Sequence, residues 1–174
     1  MVKLIEEKLG QMDRAIDQMK TVLEIEKDHI QAMNFLAYIY AEQSVSLDEA
    51  ELLARRALTL KPDDGYILDT VGWVLYKKGN IEVATRYLET AFKAKPDESI
   101  IAEHLGDVYF RQQLINKAKT MYQKAIELES EADKIAKIKT KLLATQNQSL
   151  PLLPTTRLPA SDNSKDVTKD NDLK

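Results

Sequence analysis

The sequence predicts an all-α solenoid of repeated helical pairs, and three observations carry that prediction. Leu68, Val71, Gly72, Leu75, Ala84, Leu88, Ala91 and Pro96 recur 34 residues later as Ala102, Leu105, Gly106, Tyr109, Ala118, Tyr122, Ala125 and Ser130. The same ladder stands upstream as Met33, Leu36, Ala37, Tyr40, Ala50, Ala54, Ala57 and Pro62, with one extra residue between its two halves. Within each unit the apolar residues fall at spacings of three and four, the period of an amphipathic helix.

Taken in order, residues 1–29 form a partial leading unit in which Gly10 stands at the turn position and Ala15, Met19 and Val22 on the second helix. The chain thus begins inside a repeat. It reads either as a short first helix acting as a cap or, the favoured reading, as a piece of a longer array. Complete pairs follow over 30–64, 65–98 and 99–130, the first with helices at 30–43 and 48–61. Pro62-Asp63-Asp64-Gly65 and Lys95-Pro96-Asp97 stop one pair and open the next. Gly79-Asn80 marks the turn inside the second pair, where a left-handed backbone costs Gly least. Gln113 replaces that glycine in the third pair and predicts a looser turn. Ala37, Gly72 and Gly106 are set to face Ala50, Ala84 and Ala118, so that paired helices approach closely.

Residues 131–145 continue as a helix with Ala132, Ile135, Ile138 and Leu142 on one stripe and Lys134, Lys137, Lys139 and Lys141 outside it. A stack needs a last element that covers an apolar face and shows water a polar one, so this segment is read as a C-terminal cap. Residues 146–174 hold three prolines, many polar residues and no aromatics, a composition that predicts a disordered tail. Its one apolar island, Leu150-Pro151-Leu152-Leu153-Pro154, suits a short linear motif or a segment folding back on the groove.

Composition bounds the function. The chain is 44% hydrophobic and 30% charged, with a net charge of -3, and no cluster of Lys and Arg interleaved with aromatics stands out to track phosphates. Nucleic acid is therefore an unexpected partner. Cysteine is absent, which removes disulfides, thiol nucleophiles and zinc-cysteine sites. Charges at Lys3, Glu6, Glu7 and Lys8 interrupt any secretory leader, and no apolar run reaches the length that inserts in a bilayer.

The ladder residues quoted above resemble the tetratricopeptide repeat, with the Leu-Gly-x-x-Tyr, Ala, Phe and Pro positions of that family met over residues 1–145. Leu36-Ala37-Tyr38-Ile39-Tyr40, Leu47-Asp48-Glu49-Ala50, Leu68 to Tyr76 and His104 to Tyr109 are similar to the C-terminal repeats of long bacterial members. The resemblance implies a right-handed superhelix whose first helices line a concave groove for peptides or partner proteins. It implies no reaction and no cofactor.

Repeat phase assigns the groove face. It takes Gln31, Asn34, Phe35, Tyr38 and Glu42 from the first complete pair; Tyr66, Asp69, Thr70, Trp73, Tyr76 and Lys77 from the second; and Glu103, His104, Asp107, Phe110 and Arg111 from the third. Trp73 and Tyr76 are expected to be open for binding, whereas Phe35 and Phe110 fit a core role equally well. Asp69, Glu103 and Asp107 lack neighbouring cations in the sequence pattern, so a basic, aromatic protein segment is the expected partner. The face carries too few cations for the carboxylate clamp of some family members. Glu103, His104 and Asp107 are the one cluster with conceivable catalytic or metal chemistry, but neighbouring helix positions diverge by about 100°. His29 falls in an inter-repeat turn as a surface or capping residue. The expected function is a non-enzymatic adaptor or assembly scaffold; the alternative is self-association through the uncovered N-terminal repeat face.

Overall fold

The computed structural model describes residues 2–147, which form eight helices and no strand. These are α1 (Val2–Ile25), α2 (Ile30–Gln43), α3 (Leu47–Leu60), α4 (Gly65–Lys77), α5 (Ile81–Ala94), α6 (Ser99–Arg111), α7 (Ile115–Leu128) and α8 (Ala132–Asn147). Each first helix packs on its own second helix, α2 on α3, α4 on α5 and α6 on α7. Each second helix then packs on the next first helix, and α2, α4 and α6 also touch side by side. The Leu150–Pro154 island and the rest of the expected tail lie outside the described residues, while α8 runs two residues past its expected end at 145.

Second helices are amphipathic and bury a narrow stripe: Ala50, Ala54 and Ala57 on α3; Ala84, Leu88 and Ala91 on α5; Ala118, Tyr122 and Ala125 on α7. Positions four and three apart lie on one helix face, so these residues seat the helix, flanked by half-buried Leu53 and Leu58, Tyr87 and Phe92, and Met121 and Ile126. The first helices approach these stripes through small residues. A Cβ added at Gly72 would stand 2.6 Å from Leu88 Cγ, and one at Gly106 2.7 Å from the Tyr122 ring. The glycines are thus covered by Leu88 and Tyr122, one turn beyond the alanines that repeat phase had set against them.

Helix starts follow local chemistry. Asp64 caps α4 by accepting from the backbone N–H groups of Tyr66 at 2.9 Å and Ile67 at 3.3 Å. His29 caps α2, its Nδ1 accepting from the Ala32 N–H at 3.1 Å. The sequence pattern had limited His29 to such a role.

The turns inside the three pairs share one geometry. Ser44, Gly79 and Gln113 sit at φ 55°, 86° and 63°, and each N–H returns to the carbonyl three residues back, at Ala41, Tyr76 and Phe110. The looser turn expected at Gln113 is not found, because the helix end fixes the hydrogen bonds and the Gln113 side chain is exposed. The extra residue of the first turn is absorbed by a second left-handed residue, Ser46 at φ 45°. Gly10 departs from expectation too: α1 passes through it unbroken. Among the described residues no earlier helix folds back on α1, so nothing requires a turn there. Met12, Ile16, Met19 and Leu23 instead carry α1 onto the core.

A left-handed backbone costs a side-chain-bearing residue about 1–2 kcal/mol, and glycine returns about 0.5–1 kcal/mol of that through its freer unfolded chain. Gln113→Gly is therefore expected to raise stability by about 0.5–1 kcal/mol in urea unfolding. A loss of stability would show that Gln113 makes contacts beyond the turn.

Candidate functional site

First helices occupy the interior of the stack. Residues Ile67 to Tyr76 of α4 are all buried, because α2 and α6 flank the helix while α3 and α5 lie behind it. This corrects the expected groove: Asp69 is 4% exposed, Trp73 5%, Tyr76 8% and His104 2%. Phe110 is buried as well, and Phe35 is half-buried against the same core. Phase within one repeat identifies the side turned away from its own second helix, but neighbouring first helices then cover much of that side.

The buried polar residues meet each other there. Both Asp69 carboxylate oxygens lie 3.0 Å from His104 Nδ1, joining α4 to α6. The Trp73 indole stacks on the His104 ring with centroids 3.9 Å apart at 12°, and on the Tyr76 ring at 4.9 Å and 14°. Trp73 Nε1 donates to Glu42 Oε1 on α2 at 2.6 Å, and Lys77 Nζ sits 4.8 Å from the indole centroid. Tyr38 reaches from α2 to within 6.1 Å of the His104 ring. One connected cluster thus spans α2, α4 and α6. Burial first, and the Asp107 charge second, push the Tyr76 hydroxyl up to about 12, so it stays protonated. Tyr38 is raised further by burial and by Glu42, Asp69 and Glu103.

Glu103 and Asp107 are also compensated, contrary to the sequence pattern. Lys141 on α8 donates to Glu103 Oε1 at 2.5 Å and to Asp107 Oδ2 at 2.7 Å, while the Tyr122 hydroxyl donates to Asp107 Oδ1 at 2.8 Å. Burial alone would lower the lysine, but Asp107 and Glu103 outweigh it and hold Lys141 above its ordinary range. Lys141 stands 34 residues after Asp107, so the period that defined the fold also pointed to it. Lys139 and Thr140 stand 34 residues after Leu105 and Gly106, putting polar groups where a further repeat would need apolar and small ones.

A cleft of about 360 Å³ remains open between α2 and α4. Ile30, Gln31, Asn34, Phe35, Tyr38, Tyr66 and Ile67 line it, with Lys61 and Asp64 paired at its edge at 2.7 Å. The Asn34 side-chain oxygen is buried and has no hydrogen-bond partner among the described residues. Tyr66 is exposed, its hydroxyl donating to Glu98. Of the expected groove residues, Asn34, Tyr38 and Tyr66 come together here. Lys77 and Arg111 are half-buried at the C-terminal ends of α4 and α6. No group of three or more His, Asp or Glu residues among those described is placed to hold a metal ion. No described helix is long and apolar enough to cross a membrane.

Paired helices stacked in one direction, with first helices side by side, define a helical repeat solenoid. The family model for the tetratricopeptide repeat matches residues 4–65 and 72–136, and the chain belongs to that family. A TPR repeat-containing protein of Pseudomonas aeruginosa, PA4667, is 36% identical over 85 residues, which are 49% of this chain and 14% of that relative. Among solved structures, the thermophilic TPR protein TTC0263 of Thermus thermophilus is similar with a TM-score of 0.65 at 19% identity, covering 82% of this chain and 76% of that one. The Yersinia enterocolitica type III secretion translocator chaperone SycD gives 0.61 at 15% identity over 71% and 87% of the two chains. MamA gives 0.58 at 18% over 82% and 93%. The family is in general one of non-enzymatic scaffolds for protein–protein interaction.

Removing the Lys141 cation leaves two carboxylates facing each other. Lys141→Met is expected to cost about 1–3 kcal/mol, less than a fully buried orphan charge because the lysine side chain is 36% exposed. Urea unfolding measures it. A loss below about 0.5 kcal/mol would show that α8 does not neutralise the pair.

Proposed function

We propose that this chain is a non-enzymatic interaction module that takes an extended segment of a partner protein along its first-helix face, anchored in the cleft between α2 and α4. The observation that supports this most is the cleft itself, where Ile30, Phe35 and Ile67 stand beside the side-chain amide of Asn34. Asn34 is half-buried, and its side-chain amide, once turned toward the cleft, can accept from a backbone N–H of a bound segment. Ile30, Phe35 and Ile67 offer apolar walls and Tyr38 and Tyr66 aromatic ones, suiting one large apolar or aromatic side chain next to that N–H.

Asn34, Tyr38 and Glu42 follow one another at intervals of four along α2 and so share a face. Glu42 is exposed and offers a carboxylate for a Lys or Arg one step along the bound segment. Glu103 and Asp107 contribute less to recognition than their charge suggests, since Lys141 already engages both. The partner motif is therefore an aromatic or aliphatic anchor followed by a basic residue. In the same reading α8 closes the stack.

Selection from a randomised peptide library displayed on phage tests the proposal. Selected segments are expected to share the anchor and the basic residue. Asn34→Ala is expected to weaken them about 5- to 100-fold, and Gln31→Trp, which fills the cleft, to abolish binding with the thermal melt unchanged. Segments that bind the Gln31→Trp protein as tightly as the parent would sink the cleft as the anchoring point.

A further inference from the structure

We propose that His104 is a pH-operated latch between the second and third complete repeats: its cationic ring, gripped by Asp69 and stacked on Trp73, fixes how α6 sits on α4, and loss of its proton loosens that joint. The geometry carries the inference. Asp69 and His104 are almost fully buried, belong to first helices of successive repeats, and meet through both carboxylate oxygens. α4 and α6 share apolar packing such as Leu68 with Ile101, and among the described residues Asp69–His104 is the one side-chain hydrogen-bonded pair that joins the two helices directly.

The surroundings favour the charged ring. Burial works against it, but the Asp69 carboxylate, then Asp107 and Glu103 on α6 itself, outweigh that penalty and raise His104 above its ordinary 6.5. From α2 come Tyr38 and Glu42, the latter through its bond to Trp73. From α4 comes Lys77 above the indole. Lys141 of α8 and the Tyr122 hydroxyl of α7 offset Glu103 and Asp107, and Glu89 of α5 is engaged by the Tyr109 hydroxyl. None of these cations touches Asp69, so His104 is its sole positive partner among the described residues.

The sign follows from the raised folded value. A histidine that binds its proton more tightly when folded contributes fully below the unfolded value of about 6.5, and that contribution is lost as pH rises through the folded value. Each unit between the two values is worth about a tenfold change in the folding equilibrium. Loosening acts on the line of first helices, and so reaches the groove face without any residue of the α2–α4 cleft titrating.

Trp73 is the only tryptophan in the chain, and its stack on His104 makes it a built-in reporter. Emission is to be followed from about pH 5.5 to about pH 9, alongside amide hydrogen exchange resolved by helix. The expected result is a sigmoidal change with a midpoint above 6.5. Protection in α4 and α6 should fall about tenfold per unit by which the midpoint exceeds 6.5. His104→Gln should flatten both curves, and His29→Asn, which keeps a capping side chain, should leave them as in the parent. Asp69→Asn serves if His104→Gln fails to fold: with the carboxylate gone, burial is expected to carry the midpoint below 6.5. A flat parent curve, the same titration in His104→Gln, an unmoved midpoint in Asp69→Asn, or protection indifferent to pH would overturn the latch.

Discussion

A first helix in the middle of this stack has a neighbour on every side, and that single constraint organises the rest of the molecule. α4 is enclosed by α2, α3, α5 and α6, so the polar groups it carries inward must be satisfied within the protein, Thr70 by the Tyr66 carbonyl of its own helix and others from neighbouring helices. Asp69 finds His104, and Trp73 offers its N–H to Glu42 and its face to His104. Cohesion of the stack therefore includes an apolar seam of small residues within each pair and a polar and aromatic seam between first helices of successive pairs. The first sets spacing and the second sets register, because hydrogen bonds and stacked rings tolerate less sliding than alanine stripes do.

Most of the fold was legible because the period is a property of the chain alone. Val71-Gly72 and Leu105-Gly106, the alanine stripes, and the Pro62 and Pro96 stops each have a local cause that the structure repeats. The turn at Gln113 was misread for a general reason: residue identity reports what a backbone conformation costs, whereas hydrogen bonds at the helix end decide whether it forms. Gly10 shows the converse, a residue of turn type that α1 passes through as continuous helix among the described residues. Burial of Asp69, Trp73 and His104 was not legible from one repeat, since it depends on how far neighbouring first helices lean over each other. That is a property of the stack. Asn34, Tyr38 and Tyr66 line one cleft between α2 and α4, and nothing in their spacing shows that they share it.

Charge on the first-helix face is arranged to be satisfied mostly from within. Lys141 lies in the same line as Tyr38, Trp73 and Asp107, and it brings α8 against the carboxylates of α6 as a following repeat would. The face is thus acidic by composition yet largely neutral by pairing at its C-terminal end. Glu42, whose only described partner is the neutral indole, and the α2–α4 cleft keep available chemistry at the other end. A partner reading this surface would meet an apolar socket and one carboxylate rather than a uniformly acidic trough, which favours recognition by side-chain shape over long-range charge.

The central claim is that the first-helix face turns its aromatic and acidic residues into the stack, and the accessibility of Trp73 tests it most directly. Acrylamide quenching of the native chain, with the urea-unfolded chain as reference, reports on this one indole alone. A side chain 5% exposed predicts a blue-shifted emission and a quenching constant several-fold below that of the unfolded chain. Native emission at the wavelength of the unfolded chain, quenched equally well, would place Trp73 on an open groove wall and contradict the account.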